Sequence, residues 1–321
     1  MIKAGIIGAA GYTAGELFRI LLNHPEVEVL FATSNSQEGK TVSSVHMDLL
    51  GETDLVFSKY PQQGVDVLFL CGGHGMSSTF LKENPIPSST KVVDLSRDFR
   101  LGPDNQGFVY GLPELNREAI RNADKLANPG CFATCIQLAL LPLAKAAKLG
   151  KEVHVHAITG STGAGQKPVS TTHFSWRNNN LSIYKAFSHQ HLGEIHQSAN
   201  QLQPDYQTQI NFLPMRGDFP RGIFASTYLE FKEEQEVAEK LYNEYYEPHL
   251  FTHVSTQNPH LKQVVNTNKA ILYVEKHDNK LLIISMIDNL LKGASGQAVQ
   301  NMNLMFGLPE EMGLKLKAIA F

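Results

Sequence analysis

Cysteine is scarce. The 321-residue chain has three, Cys71, Cys131 and Cys135. That number is odd and too small for a disulfide framework, so a reducing cytosol is expected. A charge excess is also missing: 28 Lys and Arg stand against 31 Asp and Glu, a net charge of −3. No domain is strongly basic, so neither a nucleic-acid partner nor a membrane-surface role is expected. No apolar run approaches the roughly 20 residues that a membrane-spanning helix needs. Residues 1–8 are too short an apolar run for a signal peptide and lack a cleavage site, which agrees with a cytoplasmic location. Repeats and low-complexity segments are absent. What remains is an ordinary globular composition, 42% hydrophobic, in a chain long enough for two domains and a large core.

The stretch Asn128-Pro129-Gly130-Cys131-Phe132-Ala133-Thr134-Cys135 runs into an apolar, helix-forming segment. Pro129 and Gly130 stop what precedes them, so Cys131 falls at or just inside a helix N-terminus. Unpaired amides and the positive end of the helix dipole favour an anion there, and a thiol so placed spends more time as the reactive thiolate. The plain alternative, a small cysteine filling a core gap, suits Cys135, one turn on. Pro142 is expected to kink this helix and Gly150 to end it.

At the N-terminus a buried strand at residues 3–7 is followed by Gly8-Ala9-Ala10-Gly11-Tyr12-Thr13-Ala14-Gly15, a helical pattern and a second strand from Val27. Strand, glycine turn, helix, strand opens a dinucleotide-binding unit, whose glycines let the backbone approach a pyrophosphate. The spacing is not G-x-G-x-x-G, and a tight turn without ligand is the plain alternative. After the second strand comes Ala32-Thr33-Ser34-Asn35-Ser36, with Lys40 nearby and no carboxylate to hold a ribose 2′-hydroxyl. Hydroxyls, an amide and a lysine accept a 2′-phosphate, which predicts NADP over NAD, with Ser34 as a contact. Two further strands end at Cys71-Gly72-Gly73-His74 and near Arg100. His74 is a loop histidine at the cofactor edge, and Arg100 a candidate anion clamp or a surface ion pair. A helix is expected to start near Asn116.

Downstream, the small-residue loop from Thr159 through Ser161 to Lys167 permits close backbone approach to a ligand. His154 and His156 share one face of a strand and read as a wet sheet surface. Ser188-His189-Gln190-His191-Leu192-Gly193-Glu194 is a dense polar cluster. Closed-site metal spacing is missing, so no metal is expected and a general acid–base near neutral pH is the better reading. Glu194 is placed to orient an imidazole or hold substrate. Arg216 and Arg221 bracket a turn, either lining an anionic pocket or bracing it. Strand patterns over 210–231 and 270–287 around a helix at 235–246 indicate an α+β second domain with a largely antiparallel sheet. Residues 288–298 form a glycine-rich turn into a last apolar helix that returns to the first domain.

The glycine turn, Asn128-Pro129-Gly130-Cys131, Gly160-Ser161-Thr162-Gly163-Ala164-Gly165, His189-Gln190-His191 with Glu194, and Asn289-Leu290-Leu291-Lys292-Gly293-Ala294-Ser295-Gly296-Gln297 occur in order along nearly the whole chain. Together they resemble the N-acetyl-gamma-glutamyl-phosphate reductases, arginine-biosynthesis relatives of aspartate-semialdehyde dehydrogenase. The resemblance implies an NADP-binding Rossmann domain, residues 1–130 and 289–321, and a catalytic and oligomerisation domain, 131–288. It implies a cytoplasmic homotetramer or homodimer that reduces an acyl-phosphate substrate through a cysteine thioester. Cys131 is then the nucleophile, with His189 or His191 as acid–base. Gly8, Gly11, Tyr12, Thr13, Gly15, Ser34, Asn289 and Gly296 serve the cofactor; Arg100, Ser161 and Glu194 serve the substrate. Gln190 and Gly193 stand where the family pattern has Arg and Pro, and Gln166-Lys167 where a loop ends in Gly-Arg. N-acetyl is the expected acyl group and N-succinyl the alternative. Rival readings are another phosphorylating semialdehyde dehydrogenase, an NADP sensor without turnover, or a cysteine hydrolase.

Overall fold

The computed structural model describes all residues except 60–63, 74, 103–104 and 321, so His74 lies outside the described residues. The chain divides into two units, Met1–Pro129 with Ala294–Lys315, and Gly130–Gly293 with the residues from Leu316 on. The second unit thus keeps Asn289 through Gly293, which the sequence reading gives to the first. The reason is local: Asp288 Oδ1 accepts the amides of Leu290 and Leu291 at 2.8 and 3.1 Å, and Asn289 Oδ1 accepts the Gly222 amide at 2.7 Å. These bonds tie the turn to the strands behind it.

The first unit holds seven strands: β1 (Ile2–Ile7), β2 (Val27–Thr33), β3 (Phe57–Ser58), β4 (Val67–Leu70), β5 (Lys91–Asp94), β6 (Val109–Tyr110) and β7 (Lys125–Ala127). They form one sheet in the order β3-β2-β1-β4-β5-β7-β6, with parallel pairings. β4 is buried along its length, as a strand covered on both faces must be. The chain winds outward from β1 to β3, then crosses to β4 and winds the other way. The carboxyl ends of β1 and β4 therefore frame the crevice of a doubly wound sheet. The helix Tyr12–Leu21 follows β1, and Ser295–Met305, buried throughout, belongs to this unit as expected. The helix expected near Asn116 starts earlier, at Pro113. Proline is pre-organised for the first helical position, and Asn116 itself is a non-helical kink, so the local signal pointed one turn too late.

The second unit holds β8 (Glu152–Thr159), β9 (Ser182–Ile183), β10 (Gln209–Arg216), β11 (Ile223–Glu230), β12 (Thr252–Ser255), β13 (Ala270–His277) and β14 (Lys280–Ile287). Their order is β12-β13-β14-β11-β8-β10-β9. Pairing is antiparallel except for β8 with β10 and β12 with β13. Helices Cys131–Lys145, Leu192–Leu202 and Gln235–Tyr246 bury their apolar residues against one sheet face. His154 and His156 share the other face, where His154 stacks on Tyr228 at 4.8 Å.

The helix Cys131–Lys145 runs through Pro142 and stops at Lys145, short of Gly150. Its end is set by Ala147 in the left-handed region, φ 54°, with the Lys148 amide reaching back to Leu143 O at 2.8 Å. Pro142 has no N–H, so Leu138 O loses its helical donor. The Tyr246 hydroxyl donates to that carbonyl, and the Tyr242 hydroxyl donates to Ala139 O at 2.5 Å. Among the described residues no helix is long and apolar enough to cross a membrane.

Candidate active site

Cys131 is the first residue of its helix and is partly exposed, after Gly130 in extended backbone. The first amide with an intrahelical acceptor is that of Thr134, which donates to Gly130 O at 2.8 Å. The Phe132 and Ala133 amides precede it in the first turn, where a helix offers donors to an anion. Gly293 closes in on the thiol: a Cβ there would lie 2.8 Å from Cys131 Cβ and 2.7 Å from Asn289 O. Cys135 is the core filler the sequence suggests. It is buried, its Sγ contacts Ser285 O at 3.2 Å, and burial pushes its thiol up to about 12.

Glu194 is buried in the first turn of Leu192–Leu202, and its Oε2 accepts the Gly130 amide at 2.9 Å. The carboxylate thus grips the residue before the thiol. This is a role that the sequence reading, with an imidazole or the substrate in mind, did not contain.

Both histidines of the polar cluster are buried and meet edge to face at 4.6 Å. Phe132, next to the thiol, packs edge-on to His189 at 5.5 Å and to His191 at 6.4 Å. The His191 amide donates to His189 Nδ1 at 3.2 Å, which leaves Nε2 to carry the proton of the neutral ring. Burial first, and then the charges of Lys185 and Arg216, lower His189 to about 4, so it is neutral at pH 7. His191 caps the helix Leu192–Leu202. Among the described residues no three His, Cys, Asp or Glu side chains converge as metal ligands.

Two further groups complete the cluster. Tyr184 lies edge-on to His189 at 5.8 Å, and the Arg216 guanidinium covers the Tyr184 ring at 4.6 Å. Burial pushes the Tyr184 hydroxyl up to about 12, with Arg216 opposing the shift and Cys131 adding to it. Tyr184 has no local sequence signal; only the strand β9–β10 pairing brings it here, with its amide on Pro214 O at 3.1 Å. Arg221 braces: it forks onto the buried Asp288 with two bonds of 3.1 Å. Asn289 also holds structure in this unit, since its amide nitrogen donates to Thr162 Oγ1 at 3.0 Å and its oxygen takes the Gly222 amide. Ser161, half-buried, opens the short turn Ser161–Ala164, and its amide donates to Phe219 O at 2.8 Å.

In the first unit a cavity of about 540 Å³ lies at the β1–β4 crevice, lined by Gly8, Ser34, Asn35, Ser36 and Lys59 among others. Gly8 has φ +74°, and a Cβ there would lie 2.8 Å from the Gly72 amide nitrogen. Only glycine fits this approach of backbone to backbone. Gly11, the cap of Tyr12–Leu21, faces open space, and Tyr12 is 39% exposed. Thr13 O accepts the Ser295 hydroxyl at 2.7 Å, docking the last helix, in which Gly296 is buried. Gly15 serves packing, since a Cβ would lie 2.8 Å from His46 Nδ1. The lysine at the Ser34 end is Lys59, not Lys40, which bonds Gln37 Oε1 at 3.0 Å on the surface. A glycine-lined crevice at the carboxyl edge of a doubly wound sheet fits a dinucleotide. Arg100 is buried, donating from Nε to Asn128 O at 2.9 Å and from Nη2 to Leu95 O at 3.0 Å. It holds the strand ends that lead to Pro129 rather than a surface ion pair.

Two family models match the chain. The semialdehyde dehydrogenase NAD-binding domain matches residues 3–123, and the semialdehyde dehydrogenase dimerisation domain matches residues 131–289. N-acetyl-gamma-glutamyl-phosphate reductase of Parabacteroides distasonis is 59% identical over all of both chains. That of Christiangramia forsetii is 60% identical over 99% of each. Among solved structures, aspartate semialdehyde dehydrogenase II of Vibrio cholerae, complexed with ASA, superposes with a TM-score of 0.75 at 18% identity, covering 96% of this chain and 98% of that one. The Candida albicans enzyme with NADP gives 0.72 at 15% identity, covering 95% and 98%.

Proposed function

The chain belongs to the semialdehyde dehydrogenase family, among its N-acetyl-gamma-glutamyl-phosphate reductases, and from that premise we propose how its residues work. It reduces an N-acyl-gamma-glutamyl phosphate, the N-acetyl compound first, to the 5-semialdehyde and phosphate, a step of arginine biosynthesis. The observation that carries this reading is a partly exposed thiol opening a buried helix, its neighbour Phe132 packed on two buried imidazoles. NADP is the cofactor, supported by the lysine and hydroxyls at the Ser34 end of the crevice and by the lack of an acidic side chain at the end of β2. When bound it supplies the hydride. Gly8 and Gly11 let it approach, and Ser34 and Lys59 take its 2′-phosphate. The dimerisation family model supports a homo-oligomer, and the relatives' role in amino-acid synthesis a cytoplasmic one.

Cys131 thiolate attacks the acyl carbon and the C–O bond to phosphate breaks, leaving a thioester and inorganic phosphate. The Phe132 and Ala133 amides stabilise the oxyanion as the thioester carbon is reduced. His189, too weakly basic to exchange a proton at neutral pH, donates a hydrogen bond from Nε2. His191 is the acid–base: it gives the oxyanion a proton to form the thiohemiacetal and takes that proton back as thiolate and aldehyde part. Glu194 keeps the Gly130 amide, and so the thiol, in place, and Ser161 serves the substrate side.

The test is phosphate-dependent reduction of NADP by N-acetyl-glutamate 5-semialdehyde, with the N-succinyl and aspartate semialdehydes run beside it. Turnover with the N-acetyl compound that Cys131→Ser abolishes, with NADPH binding intact, supports the scheme. Retained turnover in that variant defeats it.

A further inference from the structure

Of the two arginines that bracket the turn after β10, one is paired with a carboxylate and one is not. Arg221 is fully engaged with Asp288. Arg216 is half-buried at the end of β10, its carbonyl fixed by Arg177 Nη1 at 2.6 Å. Its guanidinium lies over the Tyr184 ring at 4.6 Å and its side chain hydrogen-bonds Tyr184, but its Nε is buried without a hydrogen-bond partner. The nearby carboxylate of Asp218 turns away to the Asn179 amide at 2.6 Å. Arg177, the adjacent cation, spends its donors on Thr171 O, Asn180 O, Arg216 O and the Ser182 hydroxyl. A cation with a desolvated donor therefore stands over the Tyr184–His189 pair, in electrostatic reach of His189, with no ion pair found among the described residues.

A buried, unsatisfied N–H costs stability unless something arrives to satisfy it. A planar guanidinium held on an aromatic face presents its fork to two oxygens at once. We propose that Arg216 is a specificity-determining residue that receives an anionic two-oxygen group of the substrate, a carboxylate or the phosphate. The proposal rests on the reductase reading above. Contact with the Tyr184 ring and a hydrogen bond to that side chain hold the guanidinium, so the anion is placed as well as attracted.

The test runs the reaction in the oxidative direction with semialdehyde, NADP and inorganic phosphate varied separately, for the unmodified enzyme, Arg216→Gln and Arg216→Lys. Loss of a charge-assisted pair raises one KM by at least about tenfold. A rise confined to phosphate identifies the phosphate as the ligand, and one confined to the semialdehyde identifies a carboxylate. KM for NADP is unchanged, and Lys restores part of the loss. A second readout needs no turnover: the rate of Cys131 alkylation by iodoacetate, an anion, relative to neutral iodoacetamide falls several-fold in Arg216→Gln. Unchanged KM values for both co-substrates together with an unchanged alkylation ratio overturn the proposal. If the unmodified enzyme shows no phosphate-dependent turnover, the reductase reading fails instead, and the alkylation ratio still decides whether Arg216 draws anions to the thiol.

Discussion

Replacing Glu194 with alanine removes the acceptor of the Gly130 amide, a 2.9 Å bond to a carboxylate that is 3% exposed. A hydrogen bond to a charged group contributes about 1.5–3 kcal/mol, and the amide left behind stays buried, so the loss is about 2–3 kcal/mol. For a domain of this size each kcal/mol moves Tm by about 2–4 °C, which gives a drop of about 4–12 °C. Glutamine retains an oxygen that can accept the same amide, so Glu194→Gln is expected to stay within about 1 kcal/mol of the unmodified protein. Both variants remove a negative charge from the start of the helix that carries Cys131. The pH midpoint of Cys131 alkylation therefore moves down in both, since a thiolate forms more readily away from a like charge. Thermal melts and iodoacetamide rates across pH measure the two effects. An alanine variant that melts with the unmodified protein, or a glutamine variant as unstable as alanine, refutes the assignment of the carboxylate to this amide.

His189 has a folded-state pKa of about 4 against 6.5 when unfolded, so between these values the unfolded chain binds more protons. Its contribution is complete above pH 6.5 and is lost as pH falls toward 4, by up to about 3 kcal/mol from 2.5 pKa units at 1.36 kcal/mol each. Denaturant melts at pH 7 and 4.5 are expected to differ less in His189→Asn than in the unmodified protein, and equal differences count against a buried neutral ring. Gly293→Ala forces a Cβ to within 2.7 Å of Asn289 O, a main-chain atom that cannot rotate away. It is expected to cost about 1–3 kcal/mol and to slow Cys131 alkylation; a variant with normal melting and normal thiol reactivity is the contrary outcome. Ser34→Asp places a carboxylate at the end of β2 and is expected to weaken NADPH binding at least about tenfold while sparing NADH, measured by cofactor fluorescence titration. Equal weakening of both shows that the 2′-phosphate lies elsewhere.

Features written in neighbouring residues were legible in the sequence. Gly8 through Gly15 between two apolar runs predicts the turn from β1 into the helix Tyr12–Leu21, the pattern over 235–246 predicts the helix Gln235–Tyr246, and Gly130 before Cys131 predicts the thiol's place at a helix start. Features made by distant residues were not. The bond from Glu194 to Gly130 spans 64 positions, and no spacing rule reaches that far. The parallel pairing of β8 with β10 inside a mostly antiparallel sheet leaves no trace in strands that alternate like their neighbours. Lys40 and Lys59 are equivalent in composition; only the pairing of β3 beside β2 brings the second to the crevice. The fate of Arg216 and Arg221 was open for the same reason. Asp288, the partner that claims one of them, arrives 67 positions later, just past the end of β14.

The two tyrosine hydroxyls that meet Leu138 O and Ala139 O change what Pro142 means for catalysis. A proline in mid-helix ordinarily creates a joint, and a joint beneath the reacting sulfur would let it swing. Here two successive carbonyls in the turn before that joint are clamped from a separate helix, which anchors the segment well behind Cys131. Under the proposed mechanism, the aim of Cys131 is thus set partly by Tyr242 and Tyr246, phenols sealed in hydrocarbon that never meet a reactant.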